Sequence, residues 1–317
     1  MTSPTRRARP LALFGILLVL LVMGATSWYL YKNPERATLD AEARTAAPGQ
    51  FVSLDAGQTH YRVAGPESGR VAILVHGFSV PSYIWDSTLV ALGGAGYRVI
   101  AYDLYGRGWS DRPNAAYDGA FYDAQLNGLL DSLRIPGKVD LFGLSFGGFV
   151  TAHYASNHPE RVRSLTLVDP MTRARNVPSL LGWPIIGNFV FQVTAVPTMA
   201  DNQTSDFLHP EQFPGWADRY RPQMRYRGFG RSLRRSLLAA SEAEFSTYYS
   251  AISQAGIPVL LIWGKQDSVL AVTNATDVTS RISGVEFFAV DSAGHLPHME
   301  QAGLVRARML AFLATHE

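Results

Sequence analysis

The pentapeptide Gly143-Leu144-Ser145-Phe146-Gly147 constrains the fold of this chain more than any other stretch. It follows the short apolar run 139–142 and precedes a helix-like segment from Gly148 to about His158. A serine in so sharp a turn between a strand and a helix has strained backbone dihedral angles, and the flanking glycines let the two elements approach each other. The pattern therefore predicts a nucleophile elbow, which pushes the Ser145 hydroxyl out of a sheet.

A serine hydroxyl becomes a useful nucleophile only with a general base and a carboxylate that orients this base. His295 comes shortly after a predicted strand at 285–290, and Asp267 comes shortly after another at 258–263. In an open α/β sheet, the carboxyl ends of the strands form the edge at which ligands bind. We therefore predict that His295 is the base for Ser145 and that Asp267 is the acid.

Acyl transfer also needs two hydrogen-bond donors for a developing oxyanion. The first candidate is the backbone N–H of Phe146, the residue after the nucleophile. The second is expected in the turn after an earlier strand, and the turn 76–79 follows an apolar strand at 71–75. The backbone N–H of Phe78 is therefore the second candidate. His76, in the same turn, is predicted to be a structural residue rather than a second base.

From about Phe51 to the C-terminus, the chain resembles the α/β-hydrolase family. The matching stretches are His76-Gly77-Phe78, Asp103-Leu104-Tyr105-Gly106-Arg107-Gly108-Trp109-Ser110, Gly143-Leu144-Ser145-Phe146-Gly147-Gly148, Trp263-Gly264-Lys265-Gln266-Asp267 and Gly294-His295. The resemblance implies an α/β fold with a mostly parallel central sheet flanked by helices, and a helical lid inserted between strands 6 and 7. It also implies the catalytic order Ser, Asp, His.

Because Ser145 stands where dehalogenases and epoxide hydrolases of this family have an aspartate, the chain is most similar to the serine esterase and lipase branch. This resemblance implies a hydrolase that cleaves small-molecule carboxylic esters through an acyl-enzyme. The apolar turn and lid residues favour an apolar acyl group of small to medium length. The same branch holds C–C bond hydrolases and amidases, which stay open as alternatives. A catalytically silent binding module is a further alternative.

Other polar residues compete with the predicted triad. Asp169 also follows a predicted strand, and some members of the family take their acid from this position, but the Trp-Gly-x-x-Asp turn favours Asp267. Asp103 lies in a glycine-rich turn, where an aspartate usually stabilises the turn itself. His298 and Glu300 follow His295 closely, and we expect them behind the site or at the surface.

The composition narrows the possible chemistry. The chain of 317 residues contains no cysteine, which excludes disulfides, thiolate catalysis and cysteine-ligated metals. Its net charge of +2 is too small to indicate binding to nucleic acid. No cluster with metal-ligand spacing stands out in the sequence, so neither a cofactor nor a metal is predicted.

The N-terminal residues 1–32 predict a cytoplasmic tip and a transmembrane signal anchor. Arg6, Arg7 and Arg9 precede an uncharged, mostly apolar stretch at 10–31, and aromatic residues occupy its far end. As a helix this stretch is about 30 Å long, which is enough to span a bilayer. The arginines predict a cytoplasmic N-terminus and a catalytic domain on the extracytoplasmic side. Cleavage of the segment as a signal, which would release a secreted enzyme, is the alternative.

The rest of the chain divides into a linker and a split catalytic core. The expected parts are a linker at 33–50, the first part of the core at 51–170, a lid or cap insertion at 171–250 and the second part of the core at 251–317. The apolar stretch 180–191 predicts either a buried lid helix or contact with acyl chains or a membrane. The stretch 219–235 holds seven arginines and no acidic residue, which predicts either a solvated face or contact with anionic lipid headgroups.

Overall fold

The computed structural model describes residues 8–174 and 176–316. Eight strands form one sheet: β1 Gln50–Leu54, β2 Gly57–Ala64, β3 Val71–Val75, β4 Arg98–Tyr102, β5 Val139–Leu144, β6 Val162–Val168, β7 Val259–Gly264 and β8 Glu286–Val290. The helices are α1 Ala8–Lys32, α2 Ala41–Arg44, α3 Asp86–Gly94, α4 Gly119–Ser132, α5 Phe146–Asn157, α6 Pro184–Thr194, α7 Met199–Asn202, α8 Trp216–Met224, α9 Phe229–Ser241, α10 Phe245–Gln254, α11 Thr276–Thr279, α12 Pro297–Glu300 and α13 Ala302–Thr315.

The sheet is mixed but mostly parallel, and its strand order places the serine turn at a crevice. The order is β1-β2-β4-β3-β5-β6-β7-β8, with antiparallel pairing from β1 through β2 to β4 and parallel pairing from β4 onward. The direction of winding reverses between β3 and β5. At such a switch point the loops after the two strands diverge and leave a crevice for ligands. The predicted mostly parallel α/β fold is therefore confirmed.

The sheet is covered on both faces, which explains its continuous apolar strands. Along β3, Ile73 and Val75 belong to the hydrophobic core that also contains residues of α4, α5 and α10. The alternate residues Ala72 and Leu74 belong to the core on the other face, with α3 and α13. Because successive side chains of a strand point to opposite faces, the residues on both faces of β3 from Ala72 to Val75 are buried.

The insertion between β6 and β7 is helical, as the resemblance predicts. It comprises α6 to α9 with short 3₁₀ turns between them, followed by α10, which packs against α5 through the rings of Phe245 and Phe149. We call the part from 176 to 241 the cap. The prediction of a solvated arginine face is wrong for Arg234, which is 5% exposed and donates to the carbonyl of Leu181. A guanidinium has five donors in a fixed fork, and one of those of Arg234 is bound by a backbone carbonyl of the cap.

Residues 33–48, which we call the strap, follow the surface of the folded domain instead of forming a free spacer. Ala37 pairs with Tyr226 of the cap in an isolated β-bridge. The N–H groups of Arg36 and Ala37 donate to the carbonyl of Arg225, at 2.8 and 2.9 Å. The strap therefore ties α1 to the cap.

Helix α1 is long and apolar enough to cross a membrane, a test that a signal sequence also passes. Its segment Ala12–Lys32 has a mean hydropathy of 2.1, and the 18-residue window has no residue buried inside the protein. Arg6 and Arg7, on which the predicted orientation rests, lie outside the described residues, and the side chain of Arg9 is not described either.

Candidate active site

Ser145 occupies a strained turn between β5 and α5. Its backbone angles are φ 52° and ψ −116°, a region that residues with a side chain seldom adopt. Strain of this kind costs on the order of 1–3 kcal/mol and persists only where the surroundings hold it. Here the Ser145 N–H donates to the Val168 carbonyl at 3.0 Å, and the Ser145 carbonyl accepts from Gly148 and Met171 at 2.8 and 2.9 Å. The neighbouring strand and turn therefore fix the position of the serine.

The two glycines of the elbow are required by close approach rather than by positive φ. A Cβ atom on Gly147 would lie 2.4 Å from the carbonyl oxygen of Val75, and one on Gly143 would lie 2.3 Å from Oγ1 of Thr151. Neither distance is compatible with a real side chain. The pentapeptide lets α5 start directly against β3, which brings Ser145 beside the turn that follows this strand.

His295 and Asp267 meet at the carboxyl ends of β7 and β8. Nδ1 of His295 lies 2.8 Å from Oδ2 of Asp267, and both residues are buried. The other carboxylate oxygen of Asp267 accepts the backbone N–H groups of Val269 and Leu270 at 2.8 and 2.9 Å. Burial alone would raise the pKa of Asp267, but the bond to His295 and these donors outweigh it, and the pKa is lowered. The pair is thus a carboxylate that orients an imidazole.

Asp169, the competing acid, lies behind this pair. One oxygen of its carboxyl accepts the Gly264 N–H at 2.9 Å. Burial and the charge of Asp267 raise the pKa of Asp169 well above its usual range, which favours the neutral form of this carboxyl. Asp169, Asp267 and His295 are, among the described residues, the cluster with metal-ligand spacing, within 4.8 Å of one another. The hydrogen bond between His295 and Asp267 accounts for the closeness of that pair.

The two candidate oxyanion donors lie in turns that one buried arginine joins. Phe146 is the first residue of α5, where a helix offers no acceptor for its N–H. The Phe78 carbonyl accepts from Nε of Arg107 at 2.8 Å. The rings of Phe78 and Phe146 contact each other edge to face at 5.8 Å, and both lie within 6 Å of the guanidinium. Arg107 is fully buried and also donates to the Tyr122 hydroxyl at 2.6 Å.

His76 and Asp103 have the structural roles that the sequence predicts. Nδ1–H of His76 donates to the Gly77 carbonyl at 2.8 Å, and Nε2 accepts the Leu104 N–H at 2.9 Å. Burial lowers the pKa of His76 to about 4. Asp103 binds the ring of His60 at 2.8 Å and accepts backbone N–H groups of two turns. Burial alone would raise the pKa of Asp103, but these partners hold it below its usual range.

Glu300 and His298 lie behind the site. One oxygen of Glu300 accepts the N–H of Gly294, the residue before His295, at 2.7 Å, and the other accepts the Leu208 N–H of the cap at 2.7 Å. His298 is buried against the ring of Trp85, with the ring centroids 4.5 Å apart. Burial lowers the pKa of His298 to about 3, so its ring is neutral. Glu300 therefore couples the turn before His295 to the cap.

Ser145 and His295 face a cavity of about 440 Å³ between the core and the cap. Its walls are mostly apolar, with Val80, Ile84, Met171, Phe191, Leu237 and Leu296 among them. Asp206, from the cap, also lines it, and the carbonyl of this residue accepts the His295 N–H at 2.9 Å. Burial raises the pKa of Asp206 to about 6, although the nearby imidazole opposes the shift.

A family model described as alpha/beta hydrolase fold matches residues 71–302. The chain belongs to this family. A relative, the pimeloyl-[acyl-carrier protein] methyl ester esterase of Neisseria meningitidis, is 26% identical over 246 residues, covering 76% of this chain and 76% of the relative.

Solved structures are similar as well. The enol-lactonase from Burkholderia xenovorans LB400 has a TM-score of 0.73 at 20% identity and covers 84% of this chain and 100% of its own. A thermophilic esterase from Thermogutta terrifontis has a TM-score of 0.71 at 24% identity and covers 86% of this chain and 100% of its own. At these identities the two structures show the fold alone.

In this α/β hydrolase, sequence reasoning missed two residues at the site, Arg107 and Asp206, and did not anticipate the contact of Glu300 with the cap. Arg107 stands inside the glycine-rich turn that carries the family resemblance, and its position between two glycines was a usable signal. Glu300 and Asp206 gave no such signal, because their contacts join the cap to the core across many intervening residues. All five predicted site residues lie in the turns that surround the cavity or behind them.

Proposed function

We propose that this protein is a membrane-anchored serine hydrolase that cleaves carboxylic esters with small to medium apolar acyl chains. The observation that carries the proposal is the arrangement of Ser145 on a strained elbow, in an apolar cavity that His295 also lines, with His295 held by Asp267 at 2.8 Å. The similarity to a methyl ester esterase supports an ester as the scissile group.

The reaction begins when His295 takes the hydroxyl proton of Ser145 as Oγ attacks the ester carbonyl. The backbone N–H groups of Phe78 and Phe146 bind the oxyanion that forms. Collapse of this tetrahedral intermediate breaks the C–O bond, and His295 gives the proton to the departing alcohol. In the second half, His295 takes a proton from water, and the hydroxide attacks the acyl-enzyme. Collapse of the second tetrahedral intermediate breaks the bond between the acyl carbon and Oγ, and His295 returns its proton to Oγ of Ser145 as the carboxylic acid leaves. Asp267 stabilises the charged imidazole in both halves.

The anchor in this proposal is α1, with the catalytic domain on the extracytoplasmic side of the membrane. The length and mean hydropathy of α1 support its role as an anchor, and so does the absence of buried residues in its apolar window. Within the arginine-rich stretch, Arg225 and Arg227 are exposed and are the candidates for contact with anionic headgroups. Detection of a mature N-terminus beyond Tyr31 in the purified protein would contradict the anchor and indicate a cleaved signal.

The test of the chemistry uses the full chain in a mild detergent, assayed on p-nitrophenyl esters of graded acyl length. We expect Ser145→Ala to lower kcat by about 10⁴-fold or more. The exposed Ser250, changed to Ala, is the matched control and should leave kcat unchanged. A fluorophosphonate should label the wild type and the Ser250→Ala protein but not Ser145→Ala. Equal hydrolysis by the wild type and Ser145→Ala would refute the nucleophile.

Failure on every ester would have two distinct meanings. If the fluorophosphonate still labels Ser145, the activated serine stands, and an amide or C–C bond hydrolase becomes the better interpretation. If Ser145 is neither labelled nor needed for any turnover, the protein is a binding module with the fold of a hydrolase.

A further inference from the structure

An exposed apolar segment projects from the cap. We call residues 178–186 the lip. Leu180, Trp183, Ile185 and Ile186 of the lip are 41%, 57%, 84% and 44% exposed. A cluster of large apolar side chains on a folded surface usually marks an interaction site. The lip is a built structure, because the Gly187 N–H donates to the Trp183 carbonyl at 2.8 Å and α6 continues from it.

Helix α6, which begins within the lip, packs against α1, the helix that is apolar enough to span a membrane. The ring of Tyr29, on α1, stacks on the ring of Phe189, on α6, with centroids 6.1 Å apart. Further along both helices, the side-chain amide of Gln192 donates to Oδ1 of Asn33 at 2.7 Å. Between residues 12 and 31, Tyr29 and Ala25 are the partly buried residues, so this side of α1 faces the cap.

These two contacts fix the direction of α6 relative to α1. The earlier contact on both helices joins Tyr29 to Phe189, and the later one joins Asn33, the residue after α1, to Gln192. The two helices therefore run in the same direction. Ile185 precedes Phe189 by one helical turn, which is about 6 Å. It therefore lies level with the stretch of α1 one turn before Tyr29, inside the apolar segment.

The strap prevents the domain from swinging freely about the end of α1. The carboxylate of Glu35 accepts the N–H groups of Gly228 and Gly230 at 2.6 and 2.8 Å. With the bridge between Ala37 and Tyr226, these bonds hold the start of the strap against the cap. When α1 spans a bilayer, the lip is consequently held at the bilayer surface.

The cavity that contains the candidate triad opens beside the lip. Of the described residues that line it, Asn176 and Pro178 are the exposed ones, so its mouth lies there. Pro178 is itself the first residue of the lip. Phe191, on the same helix as Ile185, is a buried part of the cavity wall. The lip and the start of α6 thus connect the exposed apolar side chains to the apolar wall of the cavity.

We propose that the lip inserts into the bilayer leaflet next to α1 and that the cavity receives its ester directly from this leaflet. The substrate class is a lipophilic ester dissolved in the membrane, whose acyl chain passes along the lip into the cavity. This inference rests on the proposed function, for the chemistry and for α1 as the anchor, but the insertion of the lip does not depend on the chemistry.

Insertion is tested by attaching a nitroxide to a single cysteine, which this chain permits because it has no cysteine of its own. The variants are Ile185→Cys and the matched control Val90→Cys, since Val90 is an exposed aliphatic residue, at 69%, on α3. With the full chain in phosphatidylcholine vesicles, the label at 185 should collide more with oxygen than with a water-soluble nickel chelate. The label at 90 should show the reverse. A label at 185 as accessible to the chelate as that at 90 would overturn the proposal.

The substrate route is tested with Ile185→Asp and Val90→Asp on two esters that share a leaving group. p-Nitrophenyl acetate reports on soluble substrate, and p-nitrophenyl decanoate dissolved in the vesicles reports on delivery from the bilayer. Ile185→Asp should hydrolyse the decanoate about tenfold more slowly, because an ionised carboxylate does not enter the apolar layer, and should leave the acetate rate unchanged. Val90→Asp should alter neither rate.

Equal losses on both esters, or no loss on the decanoate, would overturn the route. If the wild type hydrolyses no ester, the proposed chemistry fails, while the depth of the label at 185 still decides the insertion.

Discussion

Replacing Asp206 should have opposite effects on the stability and on the activity of this protein. Its carboxyl group belongs to the cap, lines the cavity and lies close enough to His295 to interact with its charge. Burial raises its pKa from 3.8 to about 6. At neutral pH the Asp206 carboxyl of the folded protein is therefore ionised, although its buried surroundings favour the neutral form. The change Asp206→Asn removes this charge and keeps the shape.

The magnitude follows from the shift in pKa. A shift of about two units corresponds to about 3 kcal/mol of unfolding free energy. Because the folded state binds the proton more tightly than the unfolded state, the stability of the wild type falls as the pH rises from about 3.8 to about 6. Below this window the carboxyl is neutral in both states and costs nothing; above it the full cost is present. Asp206→Asn should therefore be stabilising at high pH by up to about 3 kcal/mol and nearly neutral at low pH.

Urea unfolding of the full chain in a mild detergent, followed by tryptophan fluorescence, measures this difference. About 2 kcal/mol of the effect should develop between about pH 4.5 and about pH 8. Asp201→Asn is the matched control, since Asp201 lies on the same part of the cap, is 69% exposed and pairs with Arg221. Removing this surface pair should change stability by less than about 1 kcal/mol.

The reasoning is refuted if Asp206→Asn changes stability equally at both pH values or is destabilising at about pH 8. The same variant should lower kcat above about pH 6, because the ionised carboxylate favours the charged His295 that forms during the reaction. We therefore expect Asp206→Asn to raise the free energy of unfolding and to lower kcat at the same pH.

Two further predictions concern the triad and the elbow. Asp267→Asn should lower kcat by about 10⁴-fold. Asp169→Asn should change kcat by less than about tenfold, because the raised pKa of Asp169 favours its neutral form and asparagine keeps an acceptor for the Gly264 N–H. A large loss only at Asp169, measured on p-nitrophenyl acetate, would reverse the assignment of the acid. Gly147→Ala should destabilise the fold by about 1–3 kcal/mol or more, because its Cβ would lie 2.4 Å from a backbone oxygen. Gly303→Ala, in a helix where a Cβ meets nothing within 4 Å, should instead be neutral or stabilising in the same urea titration.

The parts of the site that could be predicted from the sequence are those that local geometry determines. The elbow needs glycines at 143 and 147 wherever it occurs, because strand and helix must nearly touch there. Asp267 and His295 could be placed because each follows a buried strand, and parallel strands bring their carboxyl ends to one edge. In these cases the positions of the residues relative to a strand in the sequence are enough to predict where they lie in the fold.

The parts that escaped prediction depend on contacts between the cap and the core. Glu300 was expected behind the site or at the surface, but its binding of a cap N–H could not be anticipated, since nothing near Leu208 in the sequence indicates that contact. The strap was predicted as a linker because its composition is polar and rich in alanine. Its order comes from the carbonyl of Arg225 and the N–H groups of Gly228 and Gly230, which the cap presents only after it has folded.

The strap also imposes an order of events on biosynthesis. Glu35 and its partners Gly228 and Gly230 are 193 and 195 residues apart in the chain. Since a chain emerges from its N-terminus, the apolar helix leaves the ribosome long before the surface that receives the strap exists. With α1 as the anchor that we propose, this helix enters the lipid first, and the enzyme acquires a fixed orientation only when the cap is complete. Under that proposal, attachment to the membrane and orientation at the membrane are separate steps in maturation.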